Sequence, residues 1–109
     1  MAILVAAPDS QVSNQPPEIS GRIPDVFGKS TALRMAIIGE AKTASDIETI
    51  RTRMQFSNYF QYLSAFHEST LVVAVPWYCV NQTKSLLRVI QKRVRADHVC
   101  VTVLEKLPG

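Results

Sequence analysis

The sequence predicts an α/β fold: a mixed β-sheet with helices packed on it. Three observations predict it. Two apolar runs of strand character, residues 32–41 and 70–75, are punctuated by glycine, proline and small polar residues. Two segments of helical apolar spacing, residues 45–66 and 81–96, alternate with those runs, which makes strand–helix–strand units with right-handed crossovers. The length, 109 residues, suits one domain.

Taken in order, Ala2-Ile3-Leu4-Val5-Ala6-Ala7 is a short apolar segment suited to an edge strand. Residues 8–21 hold three prolines and three serines and read as a loop or tether. The division is therefore an N-terminal segment and loop, 1–18, and a core domain, 19–109. Residues 23–27 are extended, since Pro24 keeps its predecessor out of the helical region. Gly28-Lys29-Ser30 reads as a turn, and residues 32–41 as a strand buried on both faces. Thr43 and Ser45 are candidate helix caps, with Ser45-Asp46-Ile47-Glu48 in the form of a capping box. Ile47, Ile50, Met54 and either Phe60 or Leu63 supply a core stripe, and this helix ends near 66–69. The charge-free, β-branched run 70–75 is a buried strand, stopped by Pro76. A second helix over 81–96 buries Leu86, Leu87, Ile90 and Val94, and residues 99–104 form the last strand. The core order is β-β-α-β-α-β.

Hydrophobic residues make up 47% and charged residues 19%, which excludes disorder of the charged, apolar-poor kind. Only Cys79 and Cys100 are present, too few for a disulfide framework or an all-cysteine zinc site. No apolar run reaches the roughly 18–20 residues that span a bilayer, and no basic region follows Met1. The expectation is a cytoplasmic protein without membrane association. The net charge of 12 − 9 = +3 says less than where the charges sit.

Gly39-Glu40-Ala41-Lys42 ends the mostly apolar strand. Side chains alternate along a strand, so Glu40 and Lys42 share a face, and buried charges there require partners. Asp25 precedes the turn feeding this strand, and a hairpin brings the start of one strand beside the end of the next. Asp25, Glu40 and the carbonyl of Ala41 offer hard oxygen ligands of the kind that hold Mg2+ or Mn2+. Lys42 nearby is placed to orient a water or neutralise charge on a phosphate. This is equipment for metal-assisted phosphodiester hydrolysis.

Ile23-Pro24-Asp25, fourteen intervening residues, then Glu40-Ala41-Lys42, in this element order, resembles the PD-(D/E)XK nuclease superfamily, in particular VRR-NUC-like and Holliday-junction-resolvase-like modules. The resemblance implies a restriction-endonuclease-like mixed sheet flanked by helices, Asp25 and Glu40 as metal-binding acids and Lys42 as catalytic lysine. Gln55 and Tyr59 match a glutamine and a tyrosine one turn later on the following helix. Arg51, Gln55 and Tyr59, at i, i+4 and i+8, read as a polar stripe off the core face. Members of the superfamily usually add a glutamate from an N-terminal helix. Residues 8–18 lack helical character, and Glu18 is the nearest candidate.

In the second helix Lys84, Arg88, Lys92 and Arg95 form a stripe of one sign with no acid between Thr83 and Ala96, which favours phosphate contact; support of the helix dipole is the plainer alternative. His67 and His98 read as surface residues flanking strands. Phe56, Tyr59, Phe60, Tyr62 and Phe66 are too many for one narrow stripe, so some should face a partner copy or a substrate. The expected function is a Mg2+- or Mn2+-dependent endonuclease acting on DNA as a homodimer or in an assembly. Asp25, Glu40, Lys42 and Gln55 would be catalytic. Arg51, Tyr59, Lys84, Arg88, Lys92 and Arg95 would contact nucleic acid. The alternatives are a non-catalytic nucleic-acid-binding or assembly subunit, and a protein-interaction module.

Overall fold

The computed structural model describes residues 2–5, 18–19 and 24–106, with side chains from residue 18 onward. The loop expected over 8–21 lies outside these apart from Glu18 and Ile19. A single sheet runs in spatial order β1 (Ala2–Val5), β2 (Val26–Ser30), β3 (Met35–Ala41), β4 (Glu68–Val75) and β5 (Cys100–Glu105). β1, β2 and β3 pair antiparallel, and β3, β4 and β5 pair parallel, so the sheet is mixed. α1 (Ile50–Ser64) connects β3 to β4, and α2 (Val80–Arg93) connects β4 to β5. The fold is α/β, in the order β-β-β-α-β-α-β. It has one strand more than β-β-α-β-α-β, because Ala2–Val5 pairs fully along β2.

The two parallel connections step the same way across the sheet, which puts their helices on the same side. α1 and α2 accordingly touch each other, α1 against β3 and β4, and α2 against β5. The described helices thus cover one face rather than flanking the sheet. Along β3 burial alternates: Ala36, Ile38 and Glu40 are buried under the helices, while Met35, Ile37 and Gly39 are half-buried. β3 is therefore buried on one face, not on two. Ser69, Leu71, Val73 and Val75 repeat the alternation on β4. Phe56, Tyr59, Phe60 and Leu63 from α1 and Leu87 from α2, all fully buried, close the core against these strands. Each large apolar side chain removed from water contributes about 1.5–3 kcal/mol.

Several local expectations shift. Gly28-Lys29-Ser30 belongs to β2, and the turn is Thr31-Ala32-Leu33-Arg34. Arg34 adopts φ 53° there, and its carbonyl accepts the His67 and Glu68 N–H groups at the start of β4, which holds the unusual backbone in place. α1 starts at Ile50 rather than near Ser45. Thr49 is its cap, accepting from the Thr52 N–H at 3.1 Å, while Thr43, Ser45 and Asp46 bond one another in the preceding turn. The Thr43 hydroxyl bond holds the Asp46 carboxyl below its ordinary range. The core stripe is also rotated: Ile50 and Met54 are 76% and 58% exposed, and α1 buries Thr52, Gln55, Phe56, Tyr59, Phe60 and Leu63. Nor do the aromatics face outward. Phe56, Tyr59 and Phe60 are inside, and Tyr62 packs between Phe27 and Phe66 with ring centroids 5.9 and 5.4 Å away. The excess of aromatics that suggested a partner copy is absorbed by the core.

Candidate functional site

The hairpin of β2 and β3 builds the site. Its register sets Val26 opposite Gly39, which brings Asp25, one residue before β2, beside Glu40. Gly39 eases this approach: a Cβ there would stand 3.1 Å from the Val26 Cβ, tighter than most such contacts, so Val26, next to Asp25, would have to give by a few tenths of an ångström. The Asp25 N–H donates to Glu40 Oε1 at 3.3 Å, and the Ala41 N–H donates to Asp25 Oδ2 at 2.8 Å. Backbone bonds of this kind fix both carboxylates without consuming all their oxygens.

Glu40 projects under α1. The Tyr59 hydroxyl donates to Glu40 Oε1 at 2.8 Å, and Gln55 Nε2 donates to the Tyr59 hydroxyl at 3.0 Å. Glu40 Oε2 lies 4.0 Å from Lys42 Nζ, the only ion pair among the described residues. Burial pushes the Glu40 carboxyl up to about 7. The Asp25 charge pushes the same way, against the Tyr59 bond and the Lys42 ammonium. Burial and the neighbouring carboxylate likewise raise the Tyr59 phenol, so it remains a donor at any ordinary pH.

Asp25, Glu40, Lys42 and Gln55 therefore meet at one end of β3 or behind it, but two placements differ from the sequence reading. Gln55 is buried and turned to Tyr59 rather than to Lys42 or solvent. Tyr59 is fully buried and holds Glu40, so it offers no surface to a nucleic acid. The polar stripe is thus split, with Arg51 alone exposed. The cause is Glu40: a buried carboxylate needs donors, and α1 turns its i, i+4 polar pair inward to supply them. The missed role of Tyr59 had a signal, a tyrosine one turn from a glutamine, facing a strand that ends in an acid.

On the sheet face away from the helices Gly39, Ala41, Val72 and Ala74 line a shallow, almost wholly apolar recess of about 180 Å3, whereas the Glu40 carboxylate is turned the other way, under α1. The oxygens left over, one on each carboxylate, are hard donors that suit a small divalent cation retaining several waters. Among the described residues no group of three or more His, Cys, Asp or Glu is arranged to hold a metal, and Glu18 is exposed. His67 and His98 line a separate recess at the opposite end of the parallel strands, His98 Nε2 bonding the Ser64 carbonyl at 2.9 Å. A larger concavity, about 560 Å3, lies between the helices, walled by Ile50, Met54, Leu86 and Val89, away from the paired acids.

On α2, Lys84, Arg88 and Lys92 are exposed at four-residue spacing, with no carboxylate within 4 Å among the described residues. Arg95 leaves the stripe: α2 ends at Arg93, and Arg95 sits in the following turn at φ 57°. No helix among the described residues is long and apolar enough to cross a membrane. Comparison with protein-family models, with curated proteins and with solved structures finds no match to this chain.

Proposed function

We propose that this chain is a Mg2+-dependent nuclease that hydrolyses phosphodiester bonds in DNA, a divergent relative of the PD-(D/E)XK superfamily that its sequence resembles. The observation that carries the reading is the Asp25–Glu40–Lys42 cluster. Two carboxylates held by backbone N–H groups adjoin a lysine at the open end of a strand, and one of them is buried far enough to titrate near neutrality.

Asp25 and Glu40 would hold the cation, which supplies Lewis-acid polarisation and charge neutralisation at the scissile phosphate. Tyr59, steadied by Gln55, occupies Glu40 Oε1 and so leaves Oε2 toward Lys42. The Lys42 ammonium donates to the attacking water and holds it in line, and its charge offsets that developing on the phosphoryl oxygens. Lys84, Arg88 and Lys92 track the strand backbone, so binding weakens as salt rises.

Incubation of the purified chain with branched, duplex and single-stranded DNA in Mg2+ or Mn2+ tests the reading. Cleavage is expected, and it should fall by roughly 10²–10⁴-fold in Lys42→Ala and in Glu40→Gln while circular dichroism stays unchanged. Undiminished cutting by either purified variant would overturn the assignment. The absence of a third acid among the described residues favours a second reading, a non-catalytic nucleic-acid-binding subunit. Calorimetry separates the two, since that subunit would take up neither Mg2+ nor Mn2+ at Asp25 and Glu40.

A further inference from the structure

Most of this chain's large aromatic side chains are drawn into or against the core, but Trp77 and Tyr78 stand 70% and 62% exposed. They occupy a 3-10 turn, Trp77–Cys79, directly after Pro76, and only Cys79 of that turn reaches inward. Their rings meet edge to face, with centroids 5.6 Å apart and an interplanar angle of 86°, so each ring keeps at least one face free of the other.

The position of the turn gives the pair its meaning. Ala74 of β4 lies opposite Ala41 of β3, and the Ala74 carbonyl accepts the Lys42 N–H at 2.9 Å. Trp77 follows three residues later, at most about 11 Å of chain away. The exposed rings and the Asp25–Glu40–Lys42 cluster therefore lie at the same end of the sheet, where β3 and β4 finish. Beyond the rings, α2 begins with no side-chain cap and no acid in its first turn. One turn on, Lys84 and then Arg88 line a recess of about 200 Å3 between α2 and β5, with Val101 and Val103. Residues 69–96 contain no aspartate or glutamate at all.

Exposed aromatic faces followed by a track of unpaired cations match a nucleic-acid strand with open bases: the faces take bases and the cations take phosphates. A duplex offers no such match, because its base faces are already stacked. We propose that Trp77 and Tyr78 form a stacking platform for unpaired bases, with the strand's backbone running along Lys84 and Arg88. The substrate is then single-stranded where it meets the site. This inference rests on the nuclease reading and narrows its substrate class.

Trp77 is the chain's one tryptophan, so intrinsic emission reports the platform directly. Titration with a short oligothymidylate in EDTA at low salt should quench that emission saturably, and a duplex of equal length should leave it nearly unchanged. Trp77→Ala and Tyr78→Ala should each weaken binding of a labelled oligothymidylate about tenfold by anisotropy, with Trp77→Phe recovering most of the loss. Both side chains are exposed, so these variants keep the fold. Equal quenching by duplex, no quenching at low salt, or undiminished affinity in both alanine variants overturns the platform; absent quenching would leave the pair as a protein contact. Because binding in EDTA proceeds without the cation that cleavage requires, the two readings fail separately. Cleavage without stacking refutes the platform alone, and stacking without cleavage refutes the nuclease alone.

Discussion

A carboxyl that titrates near 7 is half protonated at neutral pH, so under the proposed function Glu40 would hold a cation only to the extent that its neighbours keep it charged. Among those neighbours the Tyr59 hydroxyl does most to favour the charged form, ahead of Lys42. Tyr59→Phe removes that donor from a site where the phenyl ring still fits, and should raise the Glu40 carboxyl further. Mg2+ uptake at pH 7, measured by calorimetry, should fall by roughly 10–100-fold, in the range typical of groups that orient metal ligands. The rising limb of the pH–rate profile should move to higher pH. Gln55→Leu should act in the same direction but more weakly, because Gln55 reaches Glu40 only through Tyr59. A Tyr59→Phe variant with unchanged Mg2+ uptake and an unmoved pH profile would show the tyrosine to be packing alone.

At the scale of elements, the outcome at α1 separates two kinds of helix signal. Ser45 and Glu48 have the capping-box spacing, yet Ser45 bonds only Thr43, and the helix starts on Thr49. Thr49→Ala should therefore cost about 1 kcal/mol in chemical denaturation, whereas Ser45→Ala should stay within about 0.5 kcal/mol of the parent. Equal costs would place the start of α1 where the capping box does. The same helix shows what was legible in the sequence. The meeting of Asp25 and Glu40 is legible only as a hairpin that brings the start of one strand beside the end of the next; a turn centred on Lys29 would set Asp25 opposite Leu33, and it is the turn at Thr31-Ala32-Leu33-Arg34 that sets it opposite Glu40. The phase of α1 does not follow from apolar spacing. Ile50 and Met54 make a convincing stripe, but Glu40 recruits Gln55 and Tyr59 from a different face. Satisfying a buried acid outweighed burying two aliphatic side chains, and that comparison requires knowing which strand α1 covers. The β2–β3 turn was misplaced for a related reason: Gly28 and Ser30 carry turn chemistry, but Arg34 takes the positive φ, held by carbonyl bonds to residues more than thirty positions later.

For the whole molecule, placing an acid inside the fold has a consequence that stability measurements can read without any substrate. Unfolded, Glu40 titrates at its ordinary 4.5; folded, at about 7. Between those values the folded chain holds a proton that the unfolded chain has released, so raising the pH favours unfolding. The contribution of the protonated carboxyl is complete below about 4.5 and is lost as pH rises through about 7, a change on the order of 3 kcal/mol. Asp46 acts with the opposite sign, its carboxyl being lowered by Thr43, but its range lies below 4 and leaves this window untouched. Metal-free chain in EDTA should therefore lose denaturation free energy steadily from pH 5 to pH 7.5. Glu40→Gln, which is neutral at every pH and keeps an acceptor for Tyr59, should flatten that slope. If the proposed cation site is correct, Mg2+ should oppose it in the parent at the alkaline end, where it would bind the ionised pair, and should leave Glu40→Gln unaffected. A parent chain whose stability is level across this range would mean that Glu40 is solvated in solution and titrates as an ordinary surface glutamate. The conflict between burying Glu40 and ionising it would then be absent.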